Sequence, residues 1–271
     1  MPFDDIARRG LLLLGCGKMG SAMLEGWLAR GLPPASVGVI EPRPSDWLTA
    51  QGVHLNDGLP DEPAVALIAV KPQMMGDALP RLAALGGSGT LMISVAAGTP
   101  LARFEGAFGA GTPVVRAMPN TPAAVGRGIT AIVGNAAATR AHLDLAEELL
   151  SAVGQVVRLD SEGQMDAVTA VSGSGPAYVF HMIEALAAAG TSEGLAPDLA
   201  LQLARATVAG AGALAETSGE DPAQLRRNVT SPNGTTQAGL EVLMDADHGL
   251  PPLMRRTVAA AARRSRELRD G

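Results

Sequence analysis

The glycine-rich segment GCGKMG restricts the possible folds of this chain more than any other feature of its sequence. A continuous apolar run, residues 10–14, leads into the segment, and Gly15, Gly17 and Gly20 have the spacing G-x-G-x-x-G. Apolar residues at helical spacing then follow over residues 21–30. The sequence therefore predicts a buried strand, a tight turn and a helix at this point.

The same segment has the properties of a dinucleotide site. Gly15 permits the tight turn, Gly17 lets the backbone approach a pyrophosphate, and Gly20 lets the helix pack on the strand. The amino end of the helix attracts the anion. An ordinary glycine-rich turn is the alternative, but the position after the first strand of a βαβ pattern favours dinucleotide binding.

The alternation of strands and helices continues through the first 160 residues. Further strands are predicted at residues 37–40, 64–70, 90–95, 114–117, 129–133 and 155–159, with helices at 45–51, 73–85, 100–104 and 138–153. Because the strands are continuously apolar, they indicate a parallel sheet that is covered on both faces. We predict an α/β fold in which residues 1–160 form a Rossmann-type, doubly wound, mostly parallel sheet.

Residues 161–271 contain no convincing strand and are predicted to be all-helical. The predicted helices are 164–172, 177–193, 197–218, 222–229, 236–246 and 250–268. The alanine-rich helix 197–218 places small residues on several faces, which leaves little room for a core of its own. We therefore expect this second domain to associate with a second subunit.

Charge and composition exclude several classes of partner. The formal net charge is -6, and the basic residues cluster only at 255–269, where they suit the end of a helix. Nucleic acid is therefore not expected as a partner. Cys16 is the one cysteine, so no internal disulfide is possible. No signal peptide and no apolar run of the roughly 18 residues that a membrane span needs is visible. These features predict a cytoplasmic protein without a membrane partner.

Polar residues at predicted strand ends are candidate coenzyme contacts. Glu41 ends the second strand and can accept hydrogen bonds from a ribose, whereas Arg43 could meet a 2′-phosphate, so NADH and NADPH both stay open. A solvated loop pair is the alternative. Lys71 and Pro72, in the sequence VKPQ, follow another strand at the edge where open α/β sheets bind ligands.

Three later motifs have structural as well as functional interpretations. RAMPNTPA is a rigid loop that holds Asn120, and VSGSGPAY is consistent with helix capping and a close helix crossing. In SPNGTT, residues 231–236, hydroxyls and backbone amides meet at the start of a helix. That arrangement suits a carboxylate ligand or, alternatively, a well-made helix cap. No cluster of residues has metal-ligand spacing, so no metal is expected.

Taken in order, GCGKMG, VKPQ, RAMPNTPA, DAVTAVSGSGPAY and NVTSPNGTTQAGL resemble the motif series of the pyrroline-5-carboxylate reductases. The resemblance spans nearly the whole chain, and its last two motifs are the most distinctive. One position departs from it, since Asn233 replaces the first glycine of the usual SPGGTT. Asparagine tolerates a left-handed backbone, so the loop can keep its shape.

The resemblance implies a homodimer, possibly assembled further, that reduces the cyclic imine Δ1-pyrroline-5-carboxylate to L-proline with NADPH or NADH. It implies that the helical domain contributes to both dimerisation and substrate binding. The coenzyme contacts it implies are Lys18, Met19, Asn56, Val70, Lys71, Ala97 and Asn120. The substrate contacts it implies are Glu162, Asn228, Ser231, Thr235 and Thr236.

Hydride transfer to an imine carbon needs little help from a protein acid, so positioning should dominate catalysis. We expect residues 231–236, with Ser231 and Thr236 as the principal residues, to hold the substrate carboxylate, and Thr169 to lie near the imine nitrogen. The helical domain has no lysine, which the related 3-hydroxyacid dehydrogenases require. A non-enzymatic redox sensor is the other alternative, and it would bind coenzyme without imine-dependent oxidation.

Overall fold

The computed structural model describes residues 3–270. Eight strands form one sheet in the order β3-β2-β1-β4-β5-β6-β7-β8. The strands are β1 (Leu11–Leu14), β2 (Val37–Ile40), β3 (His54–Leu55), β4 (Val65–Ile68), β5 (Leu91–Ser94), β6 (Val114–Met118), β7 (Gly128–Gly134) and β8 (Gly154–Arg158). All neighbouring strands are parallel except β6 and β7. The predicted doubly wound, mostly parallel sheet is therefore confirmed.

Seven helices in the described residues accompany these strands, five of them between strands, one before β1 and one after β8. They are α1 (Asp4–Arg9), α2 (Lys18–Ala29), α3 (Asp46–Thr49), α4 (Met75–Leu82), α5 (Leu101–Phe108), α6 (Arg140–Leu150) and α7 (Met165–Val168), which continues as the π-helix Thr169–Gly173. The sequence did not predict α1 or β3. Six mostly polar residues in α1 and two residues in β3 are too few to show a hydrophobic period.

Both faces of the sheet are covered, and successive strand residues pack on opposite faces. Leu11 and Leu13 of β1 belong to a core that includes Trp27 of α2, while Leu12 and Leu14 belong to a second core under α4 and α5. This double burial explains why the strands are apolar at every position rather than at every second one.

The remaining helices are α8 (Gly175–Ser192), α9 (Pro197–Thr217), α10 (Pro222–Asn228), α11 (Thr235–Leu243) and α12 (Leu250–Asp270). The chain divides into two compact units. The first runs to Gly173 and includes the end of α12 from Ala262, and the second is Ser174–Ala261. The second unit is all-helical, as predicted.

The sequence predicted a domain boundary at residue 160, whereas the compact units divide after Gly173. The intervening segment packs on the sheet, because Met165 is only 1% exposed and joins the core that contains Phe104. The end of α12 also belongs to this unit. Ser265 donates a hydrogen bond of 2.7 Å to the buried carboxylate of Asp166, and Arg269 donates one of 2.6 Å.

The helical unit has almost no core of its own. No residue of α8 is buried, and in α9 only Ala200 and Ala204 are. Large apolar side chains of these two helices stand exposed, among them Phe180 at 59% and Leu203 at 48%. An exposed apolar surface of this kind is typical of an interaction surface rather than of a free domain.

Trp27 is the side chain that we expect to matter most for the stability of the first unit. It is fully buried, and its indole N–H donates a hydrogen bond of 2.8 Å to the carbonyl of Leu149 at the end of α6. Trp27→Ala should lower the free energy of unfolding by about 3–5 kcal/mol. Trp27→Phe keeps most of the apolar volume and should cost about 1–3 kcal/mol.

Urea denaturation followed by circular dichroism measures both effects, with the partly buried Trp47→Phe as the control. Equal stability of Trp27→Ala and the wild type would show that α2 and α6 do not depend on this contact.

Candidate functional site

The three glycines of GCGKMG are required for three different reasons. Gly15 has φ +90°, and a Cβ there would lie 2.9 Å from the carbonyl oxygen of Ala69 on the neighbouring chain segment. A Cβ at Gly20 would collide with the carbonyl oxygen of Gly15. Gly15 therefore lets the loop pass close to the segment after β4, and Gly20 lets α2 pack against the end of β1.

Gly17 differs, because the fold itself does not require a glycine there. Its φ is -71°, which any residue adopts, and a Cβ at this position would meet no atom within 4 Å. The free space lies at the amino end of α2, which has neither a side-chain cap nor an acidic residue in its first turn. A backbone that is bare at this point suits the close approach of a pyrophosphate.

Glu41 follows β2 and is held tightly by backbone groups. Its Oε2 accepts a hydrogen bond of 2.8 Å from the amide of Cys16, and its Oε1 accepts one of 3.0 Å from the amide of Arg43. The peptide of Glu41 is clamped in turn by Asn56, whose side chain bonds both the N–H of Glu41 at 3.0 Å and its carbonyl at 3.1 Å. Asn56 therefore positions Glu41 within this network.

These residues surround a cavity of about 320 Å³ at the carboxyl ends of β1, β2 and β4. The predicted coenzyme residues in its lining are Gly15, Gly17, Glu41, Arg43, Val70 and Lys71. The structure thus brings together the glycine loop, the end of β2 and the segment after β4. A cavity at this edge of a doubly wound sheet is where such folds bind their ligands.

The sequence analysis missed part of this lining. Met74, Asp77 and Arg81 also face the cavity. Their signal was present, because the three residues recur at spacings of three and four along α4 and the short helix before it, which places them on one helix face. The sequence analysis gave α4 no role beyond covering the sheet.

Several predicted coenzyme residues lie outside the lining of this cavity. Met19 packs against the core, and the buried Asn120 accepts a hydrogen bond of 3.0 Å from the amide of Ile129, which holds the loop after β6. Pro72 begins a short 3-10 helix. The others are Lys18, Gly20, Asn56 and Ala97. Their coenzyme contacts stay predictions.

The thiol of Cys16 lies inside the glycine loop but is not set up as a nucleophile. Burial raises the pKa of Cys16, and the nearby carboxylate of Glu41 acts in the same direction, while a hydrogen bond with Ser21 opposes them. A thiol with a raised pKa stays protonated at neutral pH and is a weak nucleophile.

Glu162 is held at the amino end of α5. Its Oε1 accepts hydrogen bonds from the amide of Leu101 at 2.9 Å and from the guanidinium of Arg116 at 2.7 Å. Arg116 is 2% exposed, so this carboxylate compensates a buried charge. The sequence analysis singled out the motif RAMPNTPA, which begins with Arg116, without assigning this residue a role.

Thr169 begins the π-helix that follows α7. Its hydroxyl donates a hydrogen bond of 2.8 Å to the carbonyl of Met165. At the other end of the π-helix, a Cβ on Gly173 would lie 2.6 Å from the terminal methyl of Met118 in β6. The glycine therefore lets the π-helix lie close to a side chain of β6, while the helix capping predicted for VSGSGPAY is not found at α8, where Ser174 makes no side-chain cap.

In the helical unit, residues 231–236 form a turn that leads into α11. Gly234 is the N-cap residue, and no side chain caps the helix. Within residues 3–270, no hydrogen-bond partner is found for the hydroxyls of Ser231, Thr235 and Thr236. The helix-cap interpretation of this motif is thus not what the structure shows, and the donors are free to meet a ligand.

Two asparagines near this turn, Asn233 and Asn228, do form hydrogen bonds. Asn233 has φ +56°, the left-handed conformation expected for a residue that replaces glycine, and its amide donates to Oε1 of Gln237 at 2.8 Å. Asn228 accepts a hydrogen bond of 2.6 Å from Gln224 and donates one of 2.9 Å to Glu220. The substrate contact proposed for Asn228 stays a prediction.

Residues 3–270 contain neither a metal site nor a membrane span. No group of three or more histidine, cysteine, aspartate or glutamate side chains there could hold a metal ion. No helix in this part of the chain has the length and apolar character to cross a membrane.

Comparisons with known proteins match both halves of the chain. A family model described as pyrroline-5-carboxylate reductase dimerisation matches residues 162–268, and one described as NADP oxidoreductase, coenzyme F420-dependent, matches residues 11–98. The pyrroline-5-carboxylate reductase of Pseudomonas aeruginosa is 38% identical over 96% of this chain and 97% of its own. The chain belongs to the pyrroline-5-carboxylate reductase family.

Other members of the family are also similar to this chain over most of its length. The Synechocystis pyrroline-5-carboxylate reductase is 42% identical over 94% of this chain and 97% of its own. A solved pyrroline-5-carboxylate reductase from Coxiella burnetii is 33% identical and superposes with a TM-score of 0.89 over 96% of this chain and 98% of its own. That of Plasmodium falciparum, solved with NADP bound, is 27% identical with a TM-score of 0.82, and covers 97% of this chain and 99% of its own. The resemblance and the oxidoreductase class predicted from the sequence are confirmed.

The different roles of the glycines in this reductase lead to a prediction. Gly17→Ala should leave the unfolding temperature unchanged, because its Cβ meets no atom, but should weaken coenzyme binding at least about tenfold by blocking the pyrophosphate. Gly20→Ala should instead destabilise the protein by about 1–3 kcal/mol.

Gly106→Ala in α5 is the matched control, since its Cβ would also meet no atom within 4 Å. It should leave coenzyme binding unchanged. Thermal unfolding and coenzyme fluorescence titration separate the effects, and tight binding by Gly17→Ala would exclude the proposed pyrophosphate position.

Proposed function

We propose that this protein reduces Δ1-pyrroline-5-carboxylate to L-proline, the last step of proline biosynthesis, with NADPH or NADH as the hydride donor. The observation that carries the proposal is that reductases of this name match the chain over almost its full length, at 38% and 42% identity for two of them. The glycine loop and its cavity supply the place for the coenzyme.

The residues of the first unit fit such a coenzyme. The bare backbone at Gly17 and the uncapped amino end of α2 suit a pyrophosphate, and Lys71 adds a positive charge to the same cavity. Val70 provides an apolar surface beside it. When bound, the reduced nicotinamide supplies the hydride, and the protein has to orient it and keep water away.

The turn at residues 231–236 is our candidate for the substrate carboxylate. The unpaired hydroxyls of Ser231 and Thr236 and the free amides at the start of α11 are all donors, which is what a carboxylate requires. Thr235 completes this set. A protonated cyclic imine is already electrophilic, so accurate placement of the ring carbon accounts for most of the rate.

The other proposed substrate residues act mainly through position. Glu162 keeps one oxygen on Arg116 and the start of α5, and its side chain is 29% exposed, so it can still face a cationic imine. The hydroxyl of Thr169 donates its hydrogen bond to the carbonyl of Met165, so its oxygen can still accept one from the substrate. Asn228 precedes the turn by three residues in the sequence. We assign these three to the substrate environment.

We further propose that the protein is a homodimer built through its helical unit, with residues 1–160 as the coenzyme domain and 161–271 as the dimerisation and substrate domain. The absence of buried residues in α8 supports this, as does the match of residues 162–268 to a dimerisation family. The single cysteine is consistent with the cytoplasm, where we place the protein.

The experiment that tests the activity follows reduced coenzyme as it is consumed by the purified protein with pyrroline-5-carboxylate. Parallel reactions use NADPH, NADH and, as a control, a 3-oxo acid in place of the imine. Imine-dependent oxidation supports the reductase. Coenzyme binding without turnover would favour a sensor, and turnover of the 3-oxo acid would favour a hydroxyacid dehydrogenase.

Thr236→Ala should raise the KM for the imine about tenfold and change kcat little, because it removes one donor to a charged carboxylate. Thr217→Ala is the control, since that hydroxyl bonds the carbonyl of Ala213 within its own helix. Steady-state kinetics with saturating coenzyme measures both constants. An unchanged KM in Thr236→Ala would remove this residue from the carboxylate site.

Phe180→Asp should disrupt the homodimer, because it places a charge in an apolar surface that is covered only by a partner. Light scattering should show a dimer for the wild type and a monomer for the variant, and circular dichroism should show whether the variant loses helical signal. His181→Ala is the control, because it changes the next position of α8 without adding a charge to the apolar surface, and it should stay dimeric. A monomeric wild type would contradict the proposal directly.

A further inference from the structure

We propose that Asp166 is a positioning residue for the reduction. Through Ser265 and Arg269 it anchors the last turns of α12, and this anchor fixes the segments that carry the candidate substrate residues of the first unit. The inference rests on the proposed function, because it concerns the placement of the imine. It gives a role to a buried carboxylate that has none in coenzyme or substrate binding.

Asp166 lies between two residues that we assign to the substrate environment. Glu162 begins the short 3-10 helix that leads into α7, and Thr169 follows α7 directly. α7 itself has only 4 residues. Because a helix of this length has little stability of its own, the positions of Glu162 and Thr169 depend on what holds Asp166.

The carboxylate of Asp166 is held at both oxygens by α12. Its Oδ1 accepts a hydrogen bond of 2.7 Å from the hydroxyl of Ser265, and its Oδ2 accepts one of 2.6 Å from the guanidinium of Arg269. Ser265 and Arg269 are four residues apart, so they lie on one face of α12. Asp166 and Ser265 are both buried. Loss of a partner would therefore leave a buried charge without compensation.

The same turns of α12 lie against the loop after β5. A Cβ at Gly98 would lie 3.5 Å from the Cβ of Leu268, which is ordinary contact distance. Ala97, a predicted coenzyme contact, is the residue before Gly98. Glu162 reaches the start of α5 just beyond this loop, where its Oε1 accepts the amide of Leu101. The end of α12 therefore joins the segment of the predicted coenzyme contact to the segment of the substrate residues.

Hydride transfer is sensitive to the joint placement of these two segments. A misplacement of about 1 Å can lower a rate on the order of a hundredfold. Weakening the anchor should therefore slow the hydride step, although it removes no group that binds either ligand. A residue that only stabilises the fold would lower the unfolding temperature and leave the kcat of the folded protein unchanged.

Two single variants break the charged contact of the anchor. Asp166→Asn keeps the shape of the side chain, and Arg269→Met keeps much of its length. In each, kcat should fall about tenfold and KM for the imine should change less than kcat. Coenzyme deuterated at the transferred hydrogen should give the full isotope effect of the hydride step, because that step then limits the rate. Coenzyme affinity, measured by fluorescence titration, should stay within about twofold.

Three further variants serve as controls. The double variant Asp166→Asn, Arg269→Met should be within about twofold of the slower single variant, because both changes break one contact. Arg269→Lys can still donate to Asp166 and should recover kcat to within about threefold of the wild type. Arg264→Ala should leave kcat unchanged, since that guanidinium pairs with Glu267 of its own helix.

Hydrogen exchange followed by mass spectrometry tests the anchor without turnover. Arg269→Met should accelerate amide exchange in residues 95–101 and 162–170 and leave β1 unchanged. Ser265→Ala removes only the bond to Oδ1 and is the milder variant, in case the others do not fold. Faster exchange with an unchanged kcat would show a structural role alone and overturn the proposal, as would unchanged exchange. Failure of the proposed function looks different, because the wild type would then leave the imine unreduced while the exchange difference remained.

Discussion

The close approach of α2 to the end of β1 is the constraint on which the coenzyme half of the molecule depends. It exists because Gly20 has no side chain to collide with the carbonyl of Gly15, and it is held further along the helix by the contact of Trp27 with Leu149. With the helix fixed in this way, its amino end opens at the carboxyl edge of the sheet. The residues that line the coenzyme cavity are arranged around this amino end of α2.

The helical half is organised on the opposite principle. The sheet unit buries apolar residues on both faces within one chain, whereas α8 and α9 leave side chains such as Phe180 and Leu203 uncovered. Alanine and glycine let these helices pack closely but contribute little buried area each. The proposed dimer would therefore contribute to the stability of this part of the chain, which also carries the turn at residues 231–236.

The sequence predicted those features that rest on local chemistry. Continuous apolar strands and the spacing of Gly15, Gly17 and Gly20 gave the sheet and its coenzyme edge, and the tolerance of Asn233 for a left-handed backbone gave its conformation. Contacts between residues far apart in the sequence were not predictable in this way. The clamp of Asn56 on Glu41 and the packing of Met165 on the sheet depend on tertiary structure and have no periodic signal.

The pairing of Asp166 with the end of α12 has a consequence for the order of events during synthesis. The buried carboxylate of Asp166 is satisfied by Ser265 and Arg269, which lie 99 and 103 residues later in the chain. A buried carboxylate without partners is strongly unfavourable. The sheet unit of a nascent chain can therefore form its layers early, but its final packing waits until the last turns of α12 leave the ribosome.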